Sequence, residues 1–441
     1  MGRRRLSALL SWPSRPPSVS RERSGLDFAG RADLLVVPFL GVLLFVRVMT
    51  DDLSASNSRH SGSVNLSAAI AVLFIFAAAV LLLQRRRGVV QAAVTTLWLC
   101  VWTGVAVHTR GASTETLREG VREGSVVARA VIIYNCRDGM AVPTATRLIQ
   151  LVSIFPALLA LYQLAAHTGM DVAGNLRSNG TFAQPNSAAM FLAIVTTVSL
   201  WRYLANGRHR VDGLLTCLFA GAFIATFSID GLATLVAMLI ALGMLQSGSR
   251  LEKAAPCALA IVLVLVFFAT PLGSSRIAKE SSTSLASAER GEANSTLAWR
   301  LHKWKTLIPE WERAPVFGQG LGTTTTVEGP YTNEYVGALP HNEYLRYLVE
   351  TGVIGLALVL GGLALLVSRL IRLRRTSGAS DAATRSAAAL ALAILAGCLV
   401  NSLADNTFLN SPTCYAATLI VVAALGSVRI TREPSPNRLS A

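Results

Sequence analysis

The feature that most constrains this chain is a succession of apolar runs, most close to the 17–25 residues an α-helix needs to cross a bilayer. They fall near 33–49, 67–84, 89–107, 146–166, 187–205, 211–228, 231–247, 254–272, 346–369, 386–404 and 412–428. As one helix, the stretch 211–247 would be nearly twice the roughly 30 Å hydrocarbon thickness. It must therefore be two helices, and Ser228-Ile229-Asp230-Gly231 marks the break. Hydrophobic residues make up 52% of the chain and charged residues only 15%. A soluble domain carries about 25% charged residues, so this balance excludes an ordinary soluble enzyme and a disordered chain.

The net charge of +15 could suggest nucleic acid, but the basic residues sit at the ends of the apolar runs. That placement is a membrane-insertion signal and implies no nucleic-acid partner. Arg3, Arg4 and Arg5, Arg85 to Arg87, the Arg202/Arg208/Arg210 loop, Arg250 with Lys253, Arg369 to Arg375, and Arg429 with Arg432 are all expected on the cytoplasmic side. Parity then requires one more crossing between 108–123 and 170–186. It must be the weak stretch from Gly124 to Asp138, interrupted by Arg129 and Arg137. An intramembrane Arg is costly and usually faces protein or water. The expected fold is an all-α polytopic integral membrane protein of about twelve transmembrane helices with both termini cytoplasmic. A disordered basic tail covers 1–32, helices one to nine cover 33–272, helices ten to twelve cover 346–428, and a second tail covers 429–441. The six cysteines form no CxxC pair and mostly lie in apolar stretches, as small core residues would.

Residues 273–345 break the pattern of short loops and form one long extracytoplasmic insertion. The Ser/Glu-rich part, Ser274 to Asn294, is expected to be mobile. Beyond it, Leu297, Leu301, Trp304, Ile308 and Trp311 recur at steps of three and four, giving an amphipathic helix near 295–311. Asn294, Ser295 and Thr296 offer caps, Pro309 should end or kink the helix, and Lys303 and Lys305 on its flanks suit a membrane interface.

Four polar clusters fall on the outer face in this topology. The first is the loop Arg177 to Asn186, which opens the next helix; it is either an anion-holding loop at a helix N-terminus or a plain turn. The second is Asp230, which by itself reads as a solvated turn residue. The third is Arg300, at the edge of the apolar stripe, where it either snorkels or turns a guanidinium into a cleft. The fourth is Pro340-His341-Asn342-Glu343-Tyr344-Leu345, where the long loop becomes a spanning helix. A histidine in a first helical turn feels the positive end of the dipole, which favours the neutral imidazole a general base needs; the bland alternative is a helix cap. Arg346 and Glu350 are spaced for an i,i+4 pair. Gly318-Gln319-Gly320-Leu321-Gly322 follows no strand of an α/β unit, so a tight turn is the better reading than a nucleotide loop.

Together these clusters resemble the O-antigen ligase and Wzy-type polysaccharide polymerase superfamily of membrane glycan transferases. The resemblance covers about 145 to 425. It is carried by Arg177-x-x-Gly180-Thr181-Phe182-x-x-Pro185-Asn186, Ala298-Trp299-Arg300 with Trp304, Gly318-x-Gly320-Leu321-Gly322, and His341-Asn342-x-Tyr344-Leu345 with Glu350, Gly352, Gly355 and Leu356. It implies a GT-C-like glycosyltransferase architecture in a bacterial cell membrane, with the active site extracytoplasmic. The implied reaction moves a glycan from a polyprenyl (undecaprenyl) diphosphate carrier to an acceptor hydroxyl on a glycan, lipid or protein, in O-antigen or exopolysaccharide biosynthesis. It implies no cofactor, and no paired-carboxylate metal motif stands on the outer face beyond Asp51-Asp52, which sits in an unrelated loop.

Carried onto this chain, the resemblance makes His341 the general base and Arg300 the catalytic arginine on the diphosphate. Arg177, Asn186, Asn342, Tyr344, Arg346 and Trp304 are the substrate-binding candidates. One departure stands out: the family often has an arginine in a Ser-Arg-Gly-type turn where this chain reads Ser228-Ile229-Asp230-Gly231. A secondary transporter and a non-catalytic scaffold are the alternative readings. The transporter lacks support from any internal repeat, while the absent turn arginine keeps the scaffold in view.

Overall fold

A computed structural model describes residues 39–51, 66–85, 88–111, 113–135, 141–172, 174–205, 207–282, 296–327, 339–377 and 381–430. The expected N-terminal tail, 1–32, and residues 431–441 lie outside the described residues, whereas Arg429 and Ile430 of the expected C-terminal tail continue the last helix. Asp52, Cys136, Arg137, Asn294 and Ser295 also lie outside the described residues.

Each apolar run contains a helix. In chain order these are α1 (Phe39–Met49), α2 (Leu66–Arg85), α3 (Val89–Arg110), α4 (Thr114–Asn135), α5 (Val142–Ala166), α6 (Pro185–Ala205) and α7 (Arg210–Ala225). There follow α8 (Ile229–Leu245), α9 (Arg250–Ala269), α10 (Pro271–Ser281), α11 (Thr296–Arg313), α12 (Glu343–Thr376), α13 (Ala382–Asn401) and α14 (Ser411–Ile430). Six of them, α3, α5, α6, α9, α12 and α13, are long and apolar enough to cross a membrane. Shorter apolar stretches lie in α1, α2, α8 and α14. The protein is an all-α, multi-pass membrane protein. A short antiparallel hairpin, β1 (Met170–Val172) and β2 (Asn175–Arg177), sets Met170 opposite Arg177.

The termini of the helices are set by local chemistry. Ser249 and Glu252 form a reciprocal capping box at α9. Asp381 caps α13 by accepting from Thr384 N at 3.1 Å. The expected break between α7 and α8 is present: α7 stops at Ala225, Phe227 turns to φ 45°, and Ser228 Oγ caps α8 through Gly231 N at 3.1 Å.

Large apolar side chains such as Phe76, Leu97, Leu214, Leu265 and Leu365 face outward on the bundle. The interior is built instead from small residues. Ala188, Ala189 and Ala193 of α6 and Ala387, Ala388, Ala389, Ala391 and Ala393 of α13 are buried, and α13 packs on α8. This is how helices associate in lipid, where close backbone approach replaces the hydrophobic drive available in water. A Cβ on Gly397 would stand 2.3 Å from Met238 Cγ.

Three expectations need correction. The helix at the expected weak crossing begins at Thr114 rather than Gly124, and it carries Glu119, Glu123 and Arg129 buried against the bundle. Arg129 is tolerated because Nε donates to Ser125 O at 2.9 Å and Nη1 to Ser411 O at 3.1 Å. The segment read as mobile contains α10, whose start is fixed by Thr270 accepting from Gly273 N at 3.2 Å and by Pro271 in its first turn. Finally, α11 runs through Pro309 to Arg313. Pro309 is exposed, on the outward side of the helix.

Helix α12 is interrupted. Gly352 adopts φ 64° and ψ −171°, which splits a stub, 343–351, from the long segment beyond. The segment 315–321 fills the gap with its own backbone. Gln319 N and Gly320 N donate to Val349 O and Glu350 O at 3.0 and 2.9 Å, and Val353 N donates to Pro315 O at 2.9 Å. Trp102 Nε1 donates to both Phe317 O and Thr351 O, at 2.9 and 3.0 Å. The glycine motif is therefore a packing device. A Cβ on Gly352 would lie 2.2 Å from Val316 O, and one on Gly320 would lie 2.2 Å from Ala106 Cα.

Candidate functional site

The polar side chains gather at one end of the bundle, where β2, the α7–α8 turn, α10, α11, the α12 stub and the α13–α14 loop meet. Helix α11 reaches this end with its charged side inward. Ala298, Trp299, Arg300, Lys303 and Leu307 are buried, while Leu297 and Ile308 of the expected apolar face are exposed. Two residues of the expected apolar stripe thus face outward, while Leu301, Trp304 and Trp311 are half-buried. Lys303, expected on a flank, is an interior residue that donates to Val327 O. Burial pulls its ammonium down to about 8.

Arg300 is fixed by the carboxylate at the departing turn. Its Nη1 donates to Asp230 Oδ1 at 2.9 Å and its Nη2 to Asp230 Oδ2 at 2.5 Å, a planar two-bond fork. Burial works against its charge, but Asp230, by Coulomb attraction and these bonds, holds its pKa above the ordinary value. Asn186 bridges from here to Arg177: its Nδ2 donates to Asp230 Oδ2 at 3.3 Å, and its Oδ1 accepts from Arg177 Nη2 at 2.7 Å and Ser228 Oγ at 3.0 Å. Arg177 Nε donates to Thr226 O at 2.8 Å. Burial pulls the Arg177 guanidinium below its ordinary value, and the positive charge of Arg276 adds to this. A nearby anion would therefore be stabilised.

The loop from Arg177 to Asn186 is held by protein partners. Gln163 Oε1 accepts from Asn179 N and Gly180 N at 3.0 and 2.7 Å, and Thr181 Oγ1 donates to Val48 O at 2.9 Å. Asp51 accepts from Ala183 N at 3.2 Å while pairing with Arg47 at 2.8 Å. Asp51 is therefore an anchor for this loop, which corrects the reading of Asp51-Asp52 as unrelated to it.

His341 stands one residue ahead of the α12 cap, with φ 50°. Asn342 Oδ1 is the cap, accepting from Leu345 N at 3.0 Å, and Glu343 N docks on Ser402 O at 2.9 Å. His341 therefore lies just outside the first turn where the dipole was expected to act on it. What faces it instead is Asp405, from the α13–α14 loop: Nδ1 and Oδ1 are 2.8 Å apart. Burial opposes the Asp405 carboxylate, but the bond and charge of His341, followed by the Arg300 charge, leave its pKa below the ordinary range. A charged carboxylate accepts, so Nδ1 carries the proton and Nε2 of the neutral ring is left as the acceptor.

The Trp299 ring meets the His341 ring edge-on at 5.6 Å between centroids, and Asp405 acts electrostatically on both Arg300 and Arg177. Arg177, Asn186, Asp230, Arg300, His341 and Asp405 thus form one site. Trp304 donates to Pro340 O at 2.7 Å, securing the backbone just before His341. Tyr344 donates to Leu399 O at 2.8 Å.

Arg346 belongs to a different cluster. It is fully buried and meets Glu343 at 2.6 Å, Glu123 at 2.7 Å and Glu350 at 3.4 Å. Glu350 Oε1 also accepts from Thr324 Oγ1 at 2.5 Å. Among the described residues, no group of three His, Cys, Asp or Glu side chains is placed to hold a metal ion.

The residue sequence reasoning missed is Asp405. It lies 64 positions from His341, in a loop with no motif of its own. The available signal was parity, which puts the α13–α14 loop on the same side as His341.

The bundle thus gathers arginines and a carboxylate-held histidine at one end. Residues 214–360 match the family model described as O-Antigen ligase. The matched segment holds Asp230, Arg300, His341 and Glu350; Arg177 and Asp405 lie outside it. No curated protein matches the chain.

Proposed function

We propose that this protein transfers a glycan from a polyprenyl-diphosphate carrier to an acceptor hydroxyl at the extracytoplasmic face of a bacterial cell membrane. The coarser statement, membrane glycan transfer of the O-antigen ligase type, is supported by the family-model match over 214–360. The observation that carries the finer one is the His341–Asp405 pair beside the Arg300–Asp230–Asn186–Arg177 network. His341 Nε2 takes the proton of the acceptor hydroxyl. The acceptor oxygen bonds to the anomeric carbon, and the bond from that carbon to the diphosphate oxygen breaks. The diphosphate leaves with the electron pair, and its charge is met by guanidinium donors already fixed in place. Asp230 makes Arg300 rigid, so little reorganisation is needed when that charge develops.

Asn186 and Trp304 act as positioning residues in this reading, through Arg177 and the Pro340 backbone. Asn342 and Tyr344 hold the α12 stub. The broken helix α12 gives no support to a transporter, because the backbone freed by the break is satisfied by 315–321 and not left open to a substrate.

In membrane vesicles supplied with lipid-linked glycan, His341→Ala should lower transfer by about 10²- to 10⁴-fold, the usual contribution of a general base, while the folded protein is retained. Undiminished transfer by a folded His341→Ala would remove the histidine from the chemistry.

A further inference from the structure

Helix α10 brings to this site an arginine that the sequence motifs do not mark. Arg276 is 7% exposed, and its Nε is buried with no hydrogen-bond partner among the described residues. Its nearest carboxylate, Glu280, is 3.8 Å away, beyond hydrogen-bond reach. The oxygens of Glu280 are already used at the start of α11, accepting from Thr296 N at 3.2 Å and Leu297 N at 2.9 Å. A carboxylate that caps the positive end of a helix has much of its charge answered there.

Arg276 also acts electrostatically on Arg177, Asp230 and Arg300. The guanidinium groups of Arg177, Arg276 and Arg300 therefore share one neighbourhood. Asp230 is bound into the Arg300 fork and Asp405 is engaged with His341. The Nε of Arg300 is another buried donor with no partner among the described residues. Burying a guanidinium with unanswered donors is costly, and a concentration of such donors fits an anion with several acceptor oxygens.

We propose that Arg276 is an anion-binding residue of this site, donating to a phosphate oxygen of a diphosphate ester held together with Arg177 and Arg300. The inference rests on the glycan-transfer reading above and gives its leaving group a third arginine. It also supplies the cation that the Ser228-Ile229-Asp230-Gly231 turn lacks, while Asp230 takes the separate task of orienting Arg300. A lysine would carry the charge but not the planar fork.

The test is a calorimetric titration of the full-length protein in nanodiscs with inorganic pyrophosphate, repeated with farnesyl diphosphate. Wild type should bind pyrophosphate. Arg276→Ala should weaken it about tenfold or more, as the loss of a charge-assisted bond does, and Arg276→Lys should recover only part of that. Unfolding midpoints are measured alongside; if Arg276→Ala proves unfolded, Arg276→Lys decides the question.

Wild-type affinity in a folded Arg276 variant, with affinity lost in Arg300→Ala, would make Arg276 a structural cation. That result would overturn this inference and leave the glycan-transfer reading standing. Absence of both pyrophosphate and farnesyl diphosphate binding by the wild type would overturn both. Tighter binding of farnesyl diphosphate than of pyrophosphate supports a lipid-borne head group. Equal binding would assign the site to the free anion and overturn the lipid-linked form of the proposal.

Discussion

A carboxylate 2.8 Å from a ring nitrogen decides which tautomer His341 adopts. Asparagine at position 405 can still accept from Nδ1, but it no longer stabilises the imidazolium that forms as the ring takes a proton. Asp405→Asn should therefore lower kcat by about 10²-fold or more with a smaller change in KM; a pure rise in KM would place Asp405 in binding instead. The Asp405 pKa lies below the ordinary range. Its contribution to stability is thus present above about pH 4 and lost only as pH falls through the folded value.

Lys303 has the same sign at higher pH. Its folded pKa is about 8, against about 10.4 in an unfolded chain, so the unfolded chain binds the proton more tightly. The stability it contributes rises with pH between those values. Unfolding midpoints of wild type should gain on those of Lys303→Met across that window; parallel curves would mean that the ammonium is solvated. His341 and Arg300 were legible because each stands in a short motif at the edge of an apolar segment. Asp405 and Arg276 were not, since neither has a spacing that relates it to the site. Only tertiary packing brings the α13–α14 loop and α10 beside them.

At the scale of elements, the α12 stub explains why several polar residues of the sequence motifs have a structural role in this fold. The stub carries His341 at its head, and three devices hold it: Glu343 N on Ser402 O, the 315–321 segment at Gly352, and the Arg346 cluster that ties it to α4. An i,i+4 pair between Arg346 and Glu350 was readable from spacing, and it is present at 3.4 Å. The shorter contact, to Glu123, spans 223 positions and depends on α4 starting ahead of Gly124. No periodicity in such a charged segment announces that.

Removing one member of a buried charge cluster leaves its partners uncompensated, at a cost of about 3–5 kcal/mol. Arg346→Ala should therefore lower the unfolding midpoint sharply. Any Arg346→Ala protein that remains folded should bind pyrophosphate as wild type does. Normal stability with lost anion binding would return Arg346 to the substrate site.

At the scale of the whole molecule, apolar length located helices along the chain, because lipid imposes one rule on all of them: every backbone group must be satisfied within the helix. That rule is blind to polar segments, which is why α4, α10 and the inward side of α11 were the elements misread. Orientation follows from a separate argument, the distribution of Arg and Lys among the short loops. It places the loop holding Asp405 outside the cell and the loop holding Arg208 inside. Leu403 and Arg208 are both exposed, so single cysteines there report the two sides.

In a background freed of the native cysteines, a membrane-impermeant maleimide added to intact cells should label Leu403→Cys and spare Arg208→Cys until the membrane is opened. The reverse pattern would turn the histidine site toward the cytoplasm, where nucleotide-activated sugars are available. The need for a lipid diphosphate as energy source would then disappear. Labelling of both positions would mean that α13 and the helices before it do not alternate as the loop charges require.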